Sequence, residues 1–201
     1  MNTGKYQVIL ADPPWHYNNR KTSGERCDKT KFGGGAMKHY PLMSDSDLLA
    51  MAPMVRAITD NNCALFMWAT MPRLDFGLQL LQAWGFRYTT VAFVWVKTQK
   101  ASGRPVYGPG YYTASNAEVV LLGVIGSMCP ARKMLGSIIA HPRMEHSRKP
   151  DLHPIIQQMY PEVYKIEMFA RRKYPGWDTW GNEALEETQL LLTEEVRHQM
   201  V

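Results

Sequence analysis

Apolar positions in this chain come in short bursts whose spacing switches between that of a strand and that of a helix. Tyr6 to Ala11 (YQVILA) is a compact apolar segment and predicts a buried strand; Ala64 to Thr70 predicts a second, and Tyr88 to Lys97 a third. Ser44 and Asp47 have the spacing of a capping box, and Leu48, Leu49, Met51 and Val55 give one apolar face to a helix reaching about Ile58. Arg73 to Trp84 predicts another helix, with Gly85 placed to end it in a left-handed conformation. Glu118 to Val124 pairs with the preceding strand as a hairpin, and Met134 to Ala140 predicts a further strand. Pro150 to Tyr160 predicts a helix with proline in its first turn, and Tyr164 to Phe169 is expected to close the sheet.

This alternation predicts an α/β three-layer sandwich whose sheet is mixed but mostly parallel, the hairpin supplying the antiparallel part. Two stretches have no period. Asn18 to His39 is rich in Lys and Gly, and Thr98 to Ser115 carries several Gly, Pro and Tyr; both predict long loops (about 18–39 and 98–115), of a length compact domains seldom hold without a use. The charged, Leu-bearing tail predicts a helix over about 183–199, lying on the surface of the body or, as the homodimer alternative, against a second copy. With 201 residues and no internal repeat, the expectation is a single domain.

Composition narrows the partners. A formal net charge of +5 suits a polyanion. Cys27, Cys63 and Cys129 lie far apart without a CxxC, which predicts neither a disulfide framework nor a metal site, and a reduced intracellular protein. Met1 to Tyr6 is polar, unlike a secretory leader, and no apolar run is long enough to cross a bilayer, so the expected setting is cytoplasmic, in a bacterial or phage-infected cell, with no membrane partner.

The chemistry begins at ADPPW, Ala11 to Trp15. In doubly wound sheets ligands sit beyond the carboxyl ends of the strands, which is where Asp12 falls. Asp-Pro alone is a common strand-ending turn. The full DPPW is more restrictive: Pro13 and Pro14 have no amide hydrogens, hold the backbone extended and leave the carbonyl after Asp12 without a partner. A carboxylate, a rigid carbonyl and the flat face of Trp15 together suit a planar ring bearing an exocyclic amine. The amine of adenine is a poor nucleophile, because its lone pair is delocalised into the ring. Two acceptors that bind its hydrogens pull nitrogen toward a tetrahedral shape and stabilise the positive charge that develops there. Stacking on Trp15 would hold the base at roughly 1–3 kcal/mol. Methyl transfer from a sulfonium donor then needs alignment more than a strong base.

The blocks ADPPW, YPLMSD (Tyr40 to Asp45), LFMWAT (Leu65 to Thr70), WGF (Trp84 to Phe86), FVWVKT (Phe93 to Thr98), HSRKPD (His146 to Asp151), KIEMFARR (Lys165 to Arg172) and PGWDTWGNE (Pro175 to Glu183) occur in that order. Over roughly Tyr6 to Ala184 the chain resembles the DPPW-type adenine N(6)-methyltransferases, the family of the messenger-RNA m6A writer's catalytic subunit and of many bacterial and phage DNA methyltransferases. The resemblance implies a Rossmann-like, S-adenosylmethionine-dependent enzyme in permuted order, the catalytic loop preceding the donor-binding segments. It implies Asp12, Pro13, Pro14 and Trp15 as the catalytic loop, with Asp12 also near the donor's amino group. It further implies Lys149 on the donor's carboxylate, Glu167 on the ribose hydroxyls, Phe169 and Arg171 beside the donor, and Asn182 with Glu183 near its adenine. Tyr40, Glu118 and Trp15 are expected to line the target-base pocket. Ala170 stands where a donor-binding turn would carry glycine, and Lys173 stands where the messenger-RNA writer has histidine, so that ribose contact is not carried over.

The amine is hidden in a duplex, so the implied enzyme takes single strands or flips the base out. Arg20, Lys21, Arg26, Lys29, Lys31, Lys38, Lys100 and Arg104 in the long loops are the expected strand-gripping groups. A compact chain without a separate recognition module favours DNA as the nucleic-acid partner, with RNA as the runner-up. The alternative from another class is an inactive nucleic-acid-binding scaffold subunit; such members lose the Asp or Trp of the loop, and here ADPPW is whole.

Overall fold

The strands of this computed structural model assemble into one seven-stranded sheet, and the structure describes residues 5–15, 43–108, 112–144 and 148–181. The elements run β1 (Tyr6–Ala11), α1 (Asp45–Ala50), α2 (Ala52–Ile58), β2 (Thr59–Thr70), α3 (Leu74–Ala83), β3 (Arg87–Thr98), β4 (Ala117–Ile125), β5 (Ile138–Pro142), α4 (His153–Met159), β6 (Lys165–Met168) and β7 (Asp178–Trp180). The sheet order is β5-β3-β4-β2-β1-β6-β7. Only β4 runs against its neighbours, pairing antiparallel with β2 and β3, while every other pairing is parallel. Helices α1, α2 and α3 cover one face through Leu48, Val55, Leu80 and Trp84, and α4 covers the other through Leu152 and Ile156. This is the expected mixed three-layer α/β fold.

Local signals hold where they are strongest. Ser44 caps α1 as a full box: its hydroxyl accepts from Asp47 N–H at 3.1 Å, and the Asp47 carboxylate accepts from Ser44 N–H at 3.1 Å. Gly85 ends α3 at φ +88°. That backbone conformation favours glycine, and the exposed Arg56 side chain lies over the position.

Several boundaries move. The helix expected from Ser44 to Ile58 is two helices meeting at Met51, because Pro53 in the first turn of α2 has no N–H to carry the earlier ladder through. Pro72 likewise opens α3 with a short 3₁₀ turn. The strand expected from Met134 begins only at Ile138, Met134 being held at φ +62° outside the β region. Helix α4 starts at His153, so the proline in its first turn is Pro154 rather than Pro150. Finally, β6 does not close the sheet: β7 pairs outside it, and Tyr6 reaches across to donate to Asp178 Oδ2 at 2.8 Å. The expected loop over 18–39 and helix over 183–199 lie outside the described residues.

Candidate active site

Alternation along the strands decides which side chains meet. On β1, Ile9 and Ala11 enter the core under α1–α3, while Val8 and Leu10 face α4. Asp12 is the next residue on the α4 side, one step past the ladder. On β6, Ile166 and Met168 face α1–α3, and Glu167 shares the α4 side because it lies opposite Leu10. Strand β4 runs the other way, so its beginning lies at the edge where the parallel strands end. That places Glu118 opposite Thr70 of β2 and Trp95 of β3. One antiparallel strand thus brings Glu118 to the carboxyl edge that carries Asp12 and Glu167.

Lys149, from the loop before α4, joins them. Its Nζ makes a close ion pair with Glu118 Oε2, lies 3.8 Å from Asp12 Oδ1, and sits 5.4 Å from the centre of the Trp68 ring. Lys97 holds the other oxygen of Glu118 at 2.6 Å. Burial would raise the Glu118 carboxyl, but the two lysines outweigh it and hold it below its usual range. Asp12 goes the other way. Burial pushes its carboxyl up, Lys149 and Arg171 oppose that, and the negative charges of Glu118 and Glu167 reinforce it. Two carboxylates that share Lys149 are thus shifted in opposite directions, Asp12 up and Glu118 down.

The loop after Asp12 is tighter than the prolines alone imply. The Pro13 carbonyl accepts from Trp15 N–H at 2.8 Å, a three-residue turn, and the Pro14 carbonyl accepts from Met43 N–H at 3.4 Å. The expectation of an unpaired carbonyl after Asp12 is corrected to one with a single lone pair in use and one left over. Trp15 is drawn into the core. It is only 4 % exposed, set edge-on to Phe76 at 6.0 Å among core residues of the α1–α3 side. Gly77 of α3 lies beside it, and there a Cβ would crowd Ala69 and Leu121 at 3.3 Å, so the glycine serves the close approach of α3 to the sheet. Packed in this way, Trp15 anchors the loop in the core.

At the end of β6, Phe169 takes φ +62° and rests its ring edge on Trp180 at 5.4 Å. Ala170 N–H donates to the Trp180 carbonyl at 2.9 Å, and a Cβ on Gly181 would strike Ala170 O at 2.5 Å. The glycine that the sequence lacks at Ala170 is therefore needed one strand later, where β7 ends against the turn. Glu167 is held from the side by a residue that sequence reading gave no role. His153 Nε2 lies 3.1 Å from Glu167 Oε2, and its Nδ1 lies 2.6 Å from Asp151 Oδ1. The sequence signal was present but weak: Asp151 two residues before the first residue of a helix suggests a cap, and it does accept from His153 N–H at 3.0 Å.

The structure thus brings together Asp12, Glu118, Lys149 and Glu167, with Arg171 near enough for its charge to act on Asp12. Lys97, His153 and Thr70 were missed. The Thr70 hydroxyl and the Trp15 indole N–H are buried without a hydrogen-bond partner among the described residues. Tyr40, Asn182 and Glu183 fall outside the described residues, as do Arg20, Lys21, Arg26, Lys29, Lys31 and Lys38; Lys100 and Arg104 are described and exposed. Among the described residues no helix is long and apolar enough to cross a membrane, and no group of three or more His, Cys, Asp or Glu side chains could hold a metal ion.

Comparison with known proteins bears on this geometry. The MT-A70 family profile matches residues 6–183. The type II methyltransferase M.MunI of Mycoplasma sp is 39% identical over 191 residues, covering 89% of this chain and 78% of that protein. A probable N(6)-adenosine-methyltransferase MT-A70-like protein of Oryza sativa subsp. japonica is 27% identical over 189 residues, covering 90% of this chain and 23% of that protein. The human N(6)-adenosine-methyltransferase catalytic subunit METTL3 is 25% identical over 189 residues, covering 90% of this chain and 28% of that protein. The chain spans about a quarter of the length of these two longer relatives.

Proposed function

The chain belongs to the MT-A70 family, and from that premise we propose that it transfers a methyl group from S-adenosylmethionine to the exocyclic amine of adenine in nucleic acid. The observation that carries this reading is the position of Asp12: at the tip of β1, 3.8 Å from Lys149, with its carboxyl raised by burial. DNA is the favoured substrate, since M.MunI, a type II methyltransferase, is 39% identical where the adenosine-methyltransferases are 25% and 27%. RNA is the second reading, supported by the N(6)-adenosine-methyltransferases that match the chain over nearly the same extent as M.MunI.

The residues present fit the donor's chemistry. Lys149 would meet its carboxylate, Asp12 its ammonium and Glu167 its ribose hydroxyls, a diol being a pair of donors that one carboxylate can accept together. When bound, S-adenosylmethionine supplies an electrophilic methyl group on a sulfonium. The chain supplies the rest. The Asp12 carboxylate and the free lone pair of the Pro13 carbonyl accept the hydrogens of the target amine and stabilise positive charge on nitrogen as it develops. Trp15, locked in the core, keeps that loop from yielding. Because its carboxyl is raised, Asp12 is also the better acceptor for the proton the methylated amine releases.

Calorimetry on two variants tests the donor assignments. Lys149→Ala and Glu167→Ala each weaken donor affinity, by roughly 10-fold for loss of a charged hydrogen bond. Unchanged affinity in both would overturn the assignments.

A further inference from the structure

His153 is placed so that both of its ring nitrogens face carboxylates. Nδ1 lies 2.6 Å from Asp151 Oδ1 and Nε2 lies 3.1 Å from Glu167 Oε2. A neutral imidazole has one N–H and one lone pair, so one of these contacts would set a lone pair against a carboxylate oxygen. Only the ring carrying both protons satisfies the two together. The ring is held in that pose by packing: it stacks on Tyr174 at 4.1 Å and 10°, and Trp177 closes on it edge-wise at 4.8 Å. A cation stacked on a phenol ring is favoured in its own right.

The groups around the ring come from three elements. Asp151 lies just before α4, and Arg172 approaches it from the far side at 3.1 Å. On β6, Glu167 faces the ring, while Lys165 on the same side of the strand spends its ammonium on the Pro161 and Val163 carbonyls at 3.2 and 2.7 Å. The segment before β7 contributes the uncharged rings of Tyr174 and Trp177, and Leu10 of β1 beside Glu167 adds no charge. Two carboxylates therefore bear directly on one imidazole.

We propose that His153 is a positioning residue for Glu167: its doubly protonated ring fixes the carboxylate that receives the donor's ribose, so that affinity for the donor's nucleoside part falls as the ring loses a proton. The inference rests on the assignment of Glu167 to the ribose. Each carboxylate oxygen has two lone pairs, so a donor from His153 on Oε2 leaves room for both hydroxyls. Burial alone would lower the proton affinity of the ring, but Glu167 and Asp151 more than offset it and raise it. The sign follows. A histidine that holds its proton more tightly in the fold contributes fully below its ordinary range near pH 6.5, and that contribution is lost as pH rises through the raised value.

The test uses 5′-methylthioadenosine, which carries the ribose but lacks the donor's titrating amine. Its affinity is measured by calorimetry from about pH 6 to about pH 9 for the wild type, Glu167→Ala and His153→Gln. The wild type is expected to lose roughly fivefold in affinity across this range, and His153→Gln to be weak and flat. An unchanged affinity in Glu167→Ala sinks the ribose assignment and takes the role of His153 with it. A lost affinity in Glu167→Ala with the pH slope kept in His153→Gln overturns the role of His153 alone. Should His153→Gln fail to fold, ring-nitrogen NMR on the intact protein, assigned through contacts to Tyr174 and Trp177, decides it: both nitrogens protonated at about pH 7 supports the proposal, and a neutral tautomer overturns it.

Discussion

The two faces of the sheet are built from the same strands and have opposite characters. The face under α1–α3 is apolar throughout, with Ile9, Leu65, Met67, Leu121 and Ile166 wholly buried and even its thiol, Cys63, sealed in and pushed well above its usual range by burial. The face under α4 carries aromatic rings, but toward the carboxyl edge it also carries Asp12, Glu118, Lys97, Lys149, Glu167 and His153. The charged residues alternate with the apolar ones on single strands, as Glu118 does with Val119 and Glu167 with Ile166 and Met168. One residue's step along a strand separates fold from chemistry. Pairing keeps the charged face tolerable, because isolated charges there would carry a desolvation cost that the Lys97–Glu118–Lys149 cluster offsets.

Substitution on the apolar face should break the fold and spare the chemistry. Trp84 is fully buried, and its indole N–H donates to the Leu48 carbonyl at 2.9 Å, tying α1 to the end of α3. Trp84→Ala is expected to lower unfolding free energy in denaturant titrations by about 3–5 kcal/mol. The fraction that remains folded should keep nearly wild-type turnover at saturating substrate.

On the other face a smaller loss of stability should come with a change in chemistry. Glu118→Gln removes the partner of both lysines and is expected to cost about 3 kcal/mol. Because the Glu118 charge raises the Asp12 carboxyl while Lys149 lowers it, the variant should bring Asp12 down. The acid limb of the pH–rate profile then moves to lower pH. A limb that stays in place or moves up would separate Glu118 from Asp12. The stability effect has its own sign: the Glu118 carboxyl is held low in the fold, so its contribution is present above its ordinary range near pH 4.5 and is lost as pH falls through the lowered value.

What the sequence disclosed divides along the same line. Strand β1, the Ser44–Asp47 box, the Gly85 stop and the β3–β4 hairpin are local or nearly so, and each follows from a few adjacent residues. Asp12, Lys149 and Glu167 were legible through motifs, and the structure gathers them at one edge. Three things were not legible. Strand β7 is only three residues long and shows no period. The His153–Glu167 contact joins positions fourteen apart that only the return of α4 onto β6 brings together. The side to which Trp15 turns depends on the tight turn after Asp12 and on its packing against Phe76, which no spacing rule encodes. Its burial makes it an anchor of the loop that carries the proposed amine acceptors.

The most direct measurement is labelled methyl transfer from S-adenosylmethionine onto unmodified DNA and RNA by the wild type and Asp12→Asn, with donor affinity taken alongside. Asp12→Asn should lose at least about 10²–10³-fold in turnover, the effect of removing one preorganised charge-stabilising group. Its donor affinity should fall by no more than roughly 10-fold, the loss of one charged contact to the donor's ammonium, and the variant should be no less stable, since a carboxyl raised by burial makes its ionised form a cost to the fold. Turnover close to wild type in that variant, or no transfer to any nucleic acid by the intact protein, would contradict the account.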